Sequence, residues 1–162
     1  MFFQTTFIFH ISKFPTFGNP KIFDMKIELK HLDDAFHFEA ANETGNIVHM
    51  DSSSESGKNP KGVGPMQMLL MALGGCSGID VVMILKKQKQ EITDFKISID
   101  ADRENIKDYS FWKNIHIHFK LKGNIELGKA KRAADLSIEK YCSVAKTLEK
   151  TSKITYSVSV NE

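Results

Sequence analysis

The longest single pattern in the chain is an apolar run from Met66 to Leu85, broken by Gln67, Ser77, Asp80 and Cys76. Polar residues 51–61 precede it and Lys86, Lys87, Gln88, Lys89, Gln90 and Glu91 follow. Pro65 fits the first turn of a helix, where its missing N–H costs nothing. The run is too long for an ordinary strand, so it predicts one long buried helix. Gly74 and Gly78 lie four apart on one face of it. Each costs roughly 1 kcal/mol in a helix interior. That cost predicts a close backbone approach, by a second helix of this chain or by the same helix of a second subunit. The alternative is that Gly74 and Gly75 kink the helix and position Cys76.

Upstream, alternation predicts three short strands. Residues 25–32 place Ile27 and Leu29 opposite Lys26, Glu28 and Lys30. Residues 35–41 place Phe36 and Phe38 opposite His37 and Glu39. A turn at residues 42–46 leads to residues 47–50. Together they read as an antiparallel meander with one polar face. Residues 51–62 read as a mobile Ser/Gly/Asn/Lys loop.

Downstream, residues 92–100 alternate through Ile92, Phe95, Ile97 and Ile99, with an irregularity near Asp94. Residues 102–110 read as a charged loop. Residues 111–121 place Ile115, Ile117, Phe119 and Leu121 on one face, with His116, His118 and Lys120 on the other. Residues 127–150 predict a second helix. Its inward stripe is Leu127, Ala130, Ala134, Ile138, Tyr141, Cys142, Ala145 and Leu148. Ile154, Tyr156, Val158 and Val160 form a last alternating strand. The order is three strands, helix, two strands, helix, strand, which is α+β.

Residues 1–24 break this regularity. Seven phenylalanines occur there without a steady period, and Pro15 and Pro20 interrupt the stretch. The first lysine, Lys13, follows the apolar part, so the pattern is not that of a signal peptide. The expectation is an N-terminal extension, disordered or the product of a misassigned start, with the domain spanning residues 25–162. The alternative is a strand at residues 5–12 pairing with an edge.

Composition narrows the function classes. The 162 residues are 41% hydrophobic and 26% charged, enough for one domain with a core. The formal charge is +2, and +1 without Lys13, Lys21 and Asp24, so nothing argues for nucleic-acid binding. Gln67, Ser77, Asp80, three glycines and Pro65 argue against the apolar run as a membrane span. Two cysteines are not a secreted disulfide framework, and a reducing cytoplasm is expected. No Gly-rich phosphate loop is present.

Candidate chemistry rests on those cysteines, each placed mid-helix. Two small buried hydrophobes is one reading. The other is a redox pair, in which one thiol becomes a sulfenic acid and the second condenses with it. That reading needs Cα atoms within about 7 Å and a charge or donor that favours the thiolate. His116 and His118, joined by His37, would be a competing metal pair. Without Cys-x-x-Cys or His-Glu-x-x-His spacing, a solvated strand face is the better reading, and no metal is expected. Asp80, one turn after Cys76, reads as a cap, an interface group or a partner for a basic side chain.

The run PMQMLLMALGGCSGIDVV at residues 65–82, with AADLSIEKYCSVA at residues 133–145, resembles the OsmC/Ohr family, most nearly its YhfA-type branch. The resemblance spans residues 25–160. It implies an intertwined homodimer in which antiparallel sheets wrap around two long cysteine-bearing helices. It also implies a peroxidatic Cys76 and a resolving Cys142 at the dimer interface, where Gly74 and Gly78 would be close-contact positions. The activity implied is reduction of organic hydroperoxides, with no bound cofactor and a dithiol reductant, of lipoyl type in the Ohr branch.

The likeness departs at one feature. In the peroxidase branches, an arginine from the N-terminal strands pairs with a glutamate early in the cysteine helix. Here the only arginines are Arg103 and Arg132, and the acidic position falls near Met66 and Gln67. Lys30 and His31 are the basic residues that could stand in, with Gln67 at the acidic position. The alternative function is a non-enzymatic or weakly active dimer that binds a small apolar molecule.

Overall fold

The computed structural model describes residues 25–52 and 59–162. The expectations for residues 1–24 and for the middle of the 51–62 loop lie outside the described residues. Three strands, β1 (Ile27–His31), β2 (Phe38–Asn42) and β3 (Ile47–Met50), form an antiparallel sheet in the order β1-β2-β3. Asn42 closes the second turn, its Oδ1 accepting the backbone N–H groups of Thr44 and Asn46, while Gly45 takes φ +82°. The side chains of Ile27, Leu29, Ile47 and Val48 remain exposed on this sheet.

The long helix α1 is continuous over Pro65–Lys87. Pro65 opens it, and the Gln67 side-chain carbonyl accepts the Gly64 N–H at 2.9 Å, half of a capping box. Lys86 and Lys87 sit in its last turn, where cations complement the helix dipole. By length and composition alone α1 could cross a membrane, with mean hydropathy 2.1 over an 18-residue window, a third of which is buried. Here Leu73, Val81 and Leu85 are fully buried in the core, while Leu69, Met71, Ile79 and Met83 are exposed.

The close approach expected at Gly74 and Gly78 comes from a sheet of the same chain. A Cβ on Gly74 would lie 3.2 Å from Ile99 Cδ1, and one on Gly78 only 2.6 Å from Ile97 Cδ1. Those isoleucines belong to β4 (Glu91–Ile106), which pairs antiparallel with β5 (Tyr109–Asn124). The expected charged loop at residues 102–110 is instead the end of this hairpin, with a tight turn in which Lys107 takes φ 46°. Cross-strand contacts explain the difference. Lys113 pairs with Glu104 at 2.9 Å, and the Arg103 guanidinium lies 4.6 Å from the Trp112 ring centre. The irregularity near Asp94 is a register shift between Ile92 and Asp94.

On β5, Ile115, Ile117, Phe119 and Leu121 are buried, as the alternation required. The last strand, β6 (Lys153–Val160), joins β5 in parallel. A helical crossover makes that direction accessible. The crossover is not the single helix expected over residues 127–150. It runs as α2 (Leu127–Leu136), a π-turn (Ser137–Tyr141) and α3 (Ser143–Leu148). The Cys142 N–H bonds the Ser137 carbonyl at 2.8 Å, and Cys142 itself is extended at φ −69°, ψ 101°. Cys142 is therefore at a helix junction, not mid-helix. Ala130, Ala134, Ile138, Cys142 and Ala145 of the expected stripe are buried, whereas Leu127 and Tyr141 are exposed. The extra residue of the π-turn rotates Tyr141 off the inward face.

Candidate functional site

The site is built where α1 meets the π-turn and the start of α3. Cys76 and Asp80 lie one turn apart on α1, and the extended backbone at residue 142 aims the second thiol at them. The sulfurs of Cys76 and Cys142 and a carboxylate oxygen of Asp80 all lie within 4.8 Å of one another. Both cysteines are free thiols, Cys142 fully buried and Cys76 half-buried.

The surroundings of the two thiols differ. Burial pushes the Cys142 thiol well above the usual thiol range, and its hydrogen bond with Cys76 pushes in the same direction. Cys142 thus keeps its proton at neutral pH and can offer it to the Cys76 sulfur. The Ala145 N–H donates to the Cys142 sulfur at 3.4 Å and holds the side chain in place.

Two polar groups hold the wall of the site. Ser77 is buried and satisfies its hydroxyl within α1, donating to the Leu73 carbonyl at 2.7 Å. The buried Ser137 hydroxyl lies 3.0 Å from Asp80 Oδ2 and 3.3 Å from the Ser77 carbonyl. Its single proton favours the shorter, charge-assisted bond to Asp80. Asp80 is thus an acceptor for Ser137, and among the described residues it forms no ion pair with a basic side chain. Ser137 escaped the sequence reading because a serine inside a helical pattern gives no signal of a π-turn. The one available clue was Asp80 four residues after Cys76.

The other site candidates take different places. Gln67 caps α1 and lines a shallow groove with Leu70, Met71, Gly74, Gly75 and Ile97. Lys30 lies on β1 opposite Glu39. His31 bonds the Ala35 carbonyl through Nε2 at 3.0 Å and packs on Phe38. Neither Lys30 nor His31 has a hydrogen bond or ion pair with α1 among the described residues.

The histidines do not converge. His116 and His118 lie 4.4 Å apart, bonded to Thr155, Ser157 and Asp100 on the outer face of the second sheet. His37 sits beside the first sheet and meets His49 at 2.9 Å.

Comparison with known proteins agrees with this architecture. The family described as OsmC-like protein matches residues 57–157. Protein YhfA of Escherichia coli strain K12 is 42% identical over 118 residues, covering 72% of this chain and 84% of YhfA. The crystal structure of a hypothetical protein from Aquifex aeolicus VF5 is 31% identical, with a TM-score of 0.70 over 85% of this chain and 98% of that one. The organic hydroperoxide resistance protein OhrB of Bacillus subtilis shares the fold at 16% identity, with a TM-score of 0.59 over 85% of this chain and 98% of its own. With the two cysteine segments and the strand–helix order all in place, the chain belongs to the OsmC-like protein family, in its YhfA-type branch.

Proposed function

We propose that this protein reduces organic hydroperoxides through a Cys76 sulfenic acid and a Cys76–Cys142 disulfide. The observation that carries the reading is that two free thiols 66 positions apart meet within 4.8 Å. The shared fold with a protein named for organic hydroperoxide resistance supports it. The Cys76 sulfur attacks the distal peroxide oxygen, and the O–O bond breaks. The thiol proton leaves with the alcohol, and Cys76 becomes a sulfenic acid. The Cys142 sulfur then attacks Cys76, water leaves, and a disulfide forms. An external dithiol takes the two oxidising equivalents, which suits a reducing cytoplasm.

An organic hydroperoxide is the substrate class that the shared fold with a hydroperoxide resistance protein supports. A separate apolar groove of about 540 Å³, lined by Leu70, Met71, Gly74, Phe95, Ile97 and Ile99, runs between α1 and β4 and includes neither thiol. A homodimer is part of the proposal: exposed Leu69, Met71, Ile79 and Met83 on α1 and Ile27 and Leu29 on β1 supply apolar surface for a second copy.

The test is intact-mass analysis of the reduced protein after one equivalent of cumene hydroperoxide. The expected result is a loss of about 2 Da mapped to a Cys76–Cys142 link. Cys76→Ser abolishes peroxide consumption. Cys142→Ser permits one turnover and traps oxidised Cys76. Consumption that survives loss of Cys76 overturns the reading. Inert thiols together with protection by an apolar ligand favour the second reading, a non-enzymatic dimer that binds a small apolar molecule in the same groove.

A further inference from the structure

We infer that Cys76, Asp80 and Cys142 form a binding site for a soft divalent ion of the zinc type, with Ser137 orienting the carboxylate and a fourth position open. This does not rest on the reductase reading, since it concerns what the reduced side chains bind.

Charge is the first argument. Two thiols and a carboxylate are gathered within 4.8 Å, and Asp80 accepts a hydrogen bond from the neutral Ser137 hydroxyl. A dication at the centre of the cluster would meet all three donors at once, and a thiol that coordinates such an ion is deprotonated outright.

Donor type and spacing are the second. Two sulfurs with one carboxylate oxygen select zinc-like ions over calcium or magnesium, which take oxygen ligands. With metal–sulfur bonds of about 2.3 Å and metal–oxygen bonds of about 2.0 Å, tetrahedral donors stand roughly 3.5–3.8 Å apart. From the limit of 4.8 Å the donors have to close by about 1 Å.

Support from outside the donors is the third. Ligating carboxylates are held by hydrogen bonds of their own. Ser137 donates to Asp80 Oδ2 at 3.0 Å, leaving Oδ1 available. The Ala145 N–H donates to the Cys142 sulfur at 3.4 Å and fixes the position of that donor. Cys76 and Asp80 share one face of a continuous helix, and Cys142 is fixed at a junction, so the three donors come from rigid backbone.

Binding balances as one dication entering and two thiol protons leaving. The bound ion occupies both sulfurs, so ion and oxidant exclude each other.

The experiment is titration of the reduced, metal-free full-length protein with Co2+ and then Zn2+. The expected result is one ion per chain, a thiolate-to-cobalt charge-transfer band that Zn2+ removes, and two protons released per ion. Both thiols become protected from alkylation. Asp80→Asn weakens binding at least about tenfold while both thiols remain titratable. Ser137→Ala weakens it less. Absence of saturable one-to-one binding overturns the inference. So does an unchanged affinity in Asp80→Asn, which would reduce the site to an adventitious ion on two thiols. Proton release and charge transfer are read on the unaltered protein, so a variant that fails to fold leaves the test intact. Ion binding with thiols inert to hydroperoxide sinks the reductase reading alone. Clean disulfide formation with no ion bound sinks this inference alone.

Discussion

The Ser137 hydroxyl stands 3.0 Å from the Asp80 carboxylate and ties the π-turn before Cys142 to the turn after Cys76. Asp80 lies one turn from Cys76 on α1 and Ser137 opens the π-turn that ends at Cys142, so the bond ties together the two segments that carry the thiols. Ser137→Ala is expected to cost about 1–3 kcal/mol, the range for a buried hydrogen bond to a charged group. It should also slow disulfide closure more than the first oxidation of Cys76. Urea unfolding followed by fluorescence of Trp112, the single tryptophan, gives the first quantity. Timed alkylation gives the second. An unchanged midpoint would mean that the bond contributes nothing.

Gly78 and Gly75 should answer substitution in opposite ways. Gly78→Ala drives a Cβ to 2.6 Å from Ile97 Cδ1, and overpacking of this kind typically costs about 1–3 kcal/mol. Adding Ile97→Val deletes the clashing methyl and should recover part of the loss. Gly75 meets nothing within 4 Å, so Gly75→Ala should stabilise α1 by up to about 1 kcal/mol. Denaturation midpoints of the three variants check both statements. Destabilisation by Gly75→Ala would show that a second copy covers this face.

Gln67 acts on the start of α1 through its 2.9 Å bond from the Gly64 N–H. Gln67→Ala is expected to lower stability by about 0.5–1 kcal/mol, as loss of a cap does. Gln67→Glu keeps the acceptor and adds a negative charge in the first helical turn, so it should match or exceed the parent. Thermal unfolding of the two variants distinguishes them.

Tyr156 supplies the pH dependence. Burial first, and then its hydrogen bond to Asp135, together raise its phenol to about 12. The folded protein keeps this proton where the unfolded chain, titrating near 10, has released it. Stability therefore falls as pH rises from about 10 to about 12. Tyr156→Phe removes this contribution. The parent and variant urea midpoints should converge between about pH 10 and about pH 12. A constant difference across that range refutes it.

Much of this protein is legible along the chain because its elements obey simple periods. The alternation of Ile115, Ile117, Phe119 and Leu121 identified the buried face of β5. Pro65 and the apolar run identified α1, and the two cysteine segments identified the family. The hairpin end at residues 102–110 was hidden because its stabilising pairs, Arg103 with Trp112 and Glu104 with Lys113, exist only after the strands meet. Charged composition there reports solvent exposure, which a loop and an exposed hairpin share.

What the sequence determined by itself is the order of the strands around α1, the buried face of β5 and which two residues carry sulfur, since periodicity and residue type are local properties. The tertiary structure alone decided that β6 runs parallel to β5, that Ile97 and Ile99 fill the space over Gly78 and Gly74, and that Cys142 leaves its helix at a π-turn. It alone also placed Ser137 on Asp80 beside both thiols. Each of these depends on which surfaces pack together, and a contact between residues about 60 positions apart leaves no periodic trace in one chain.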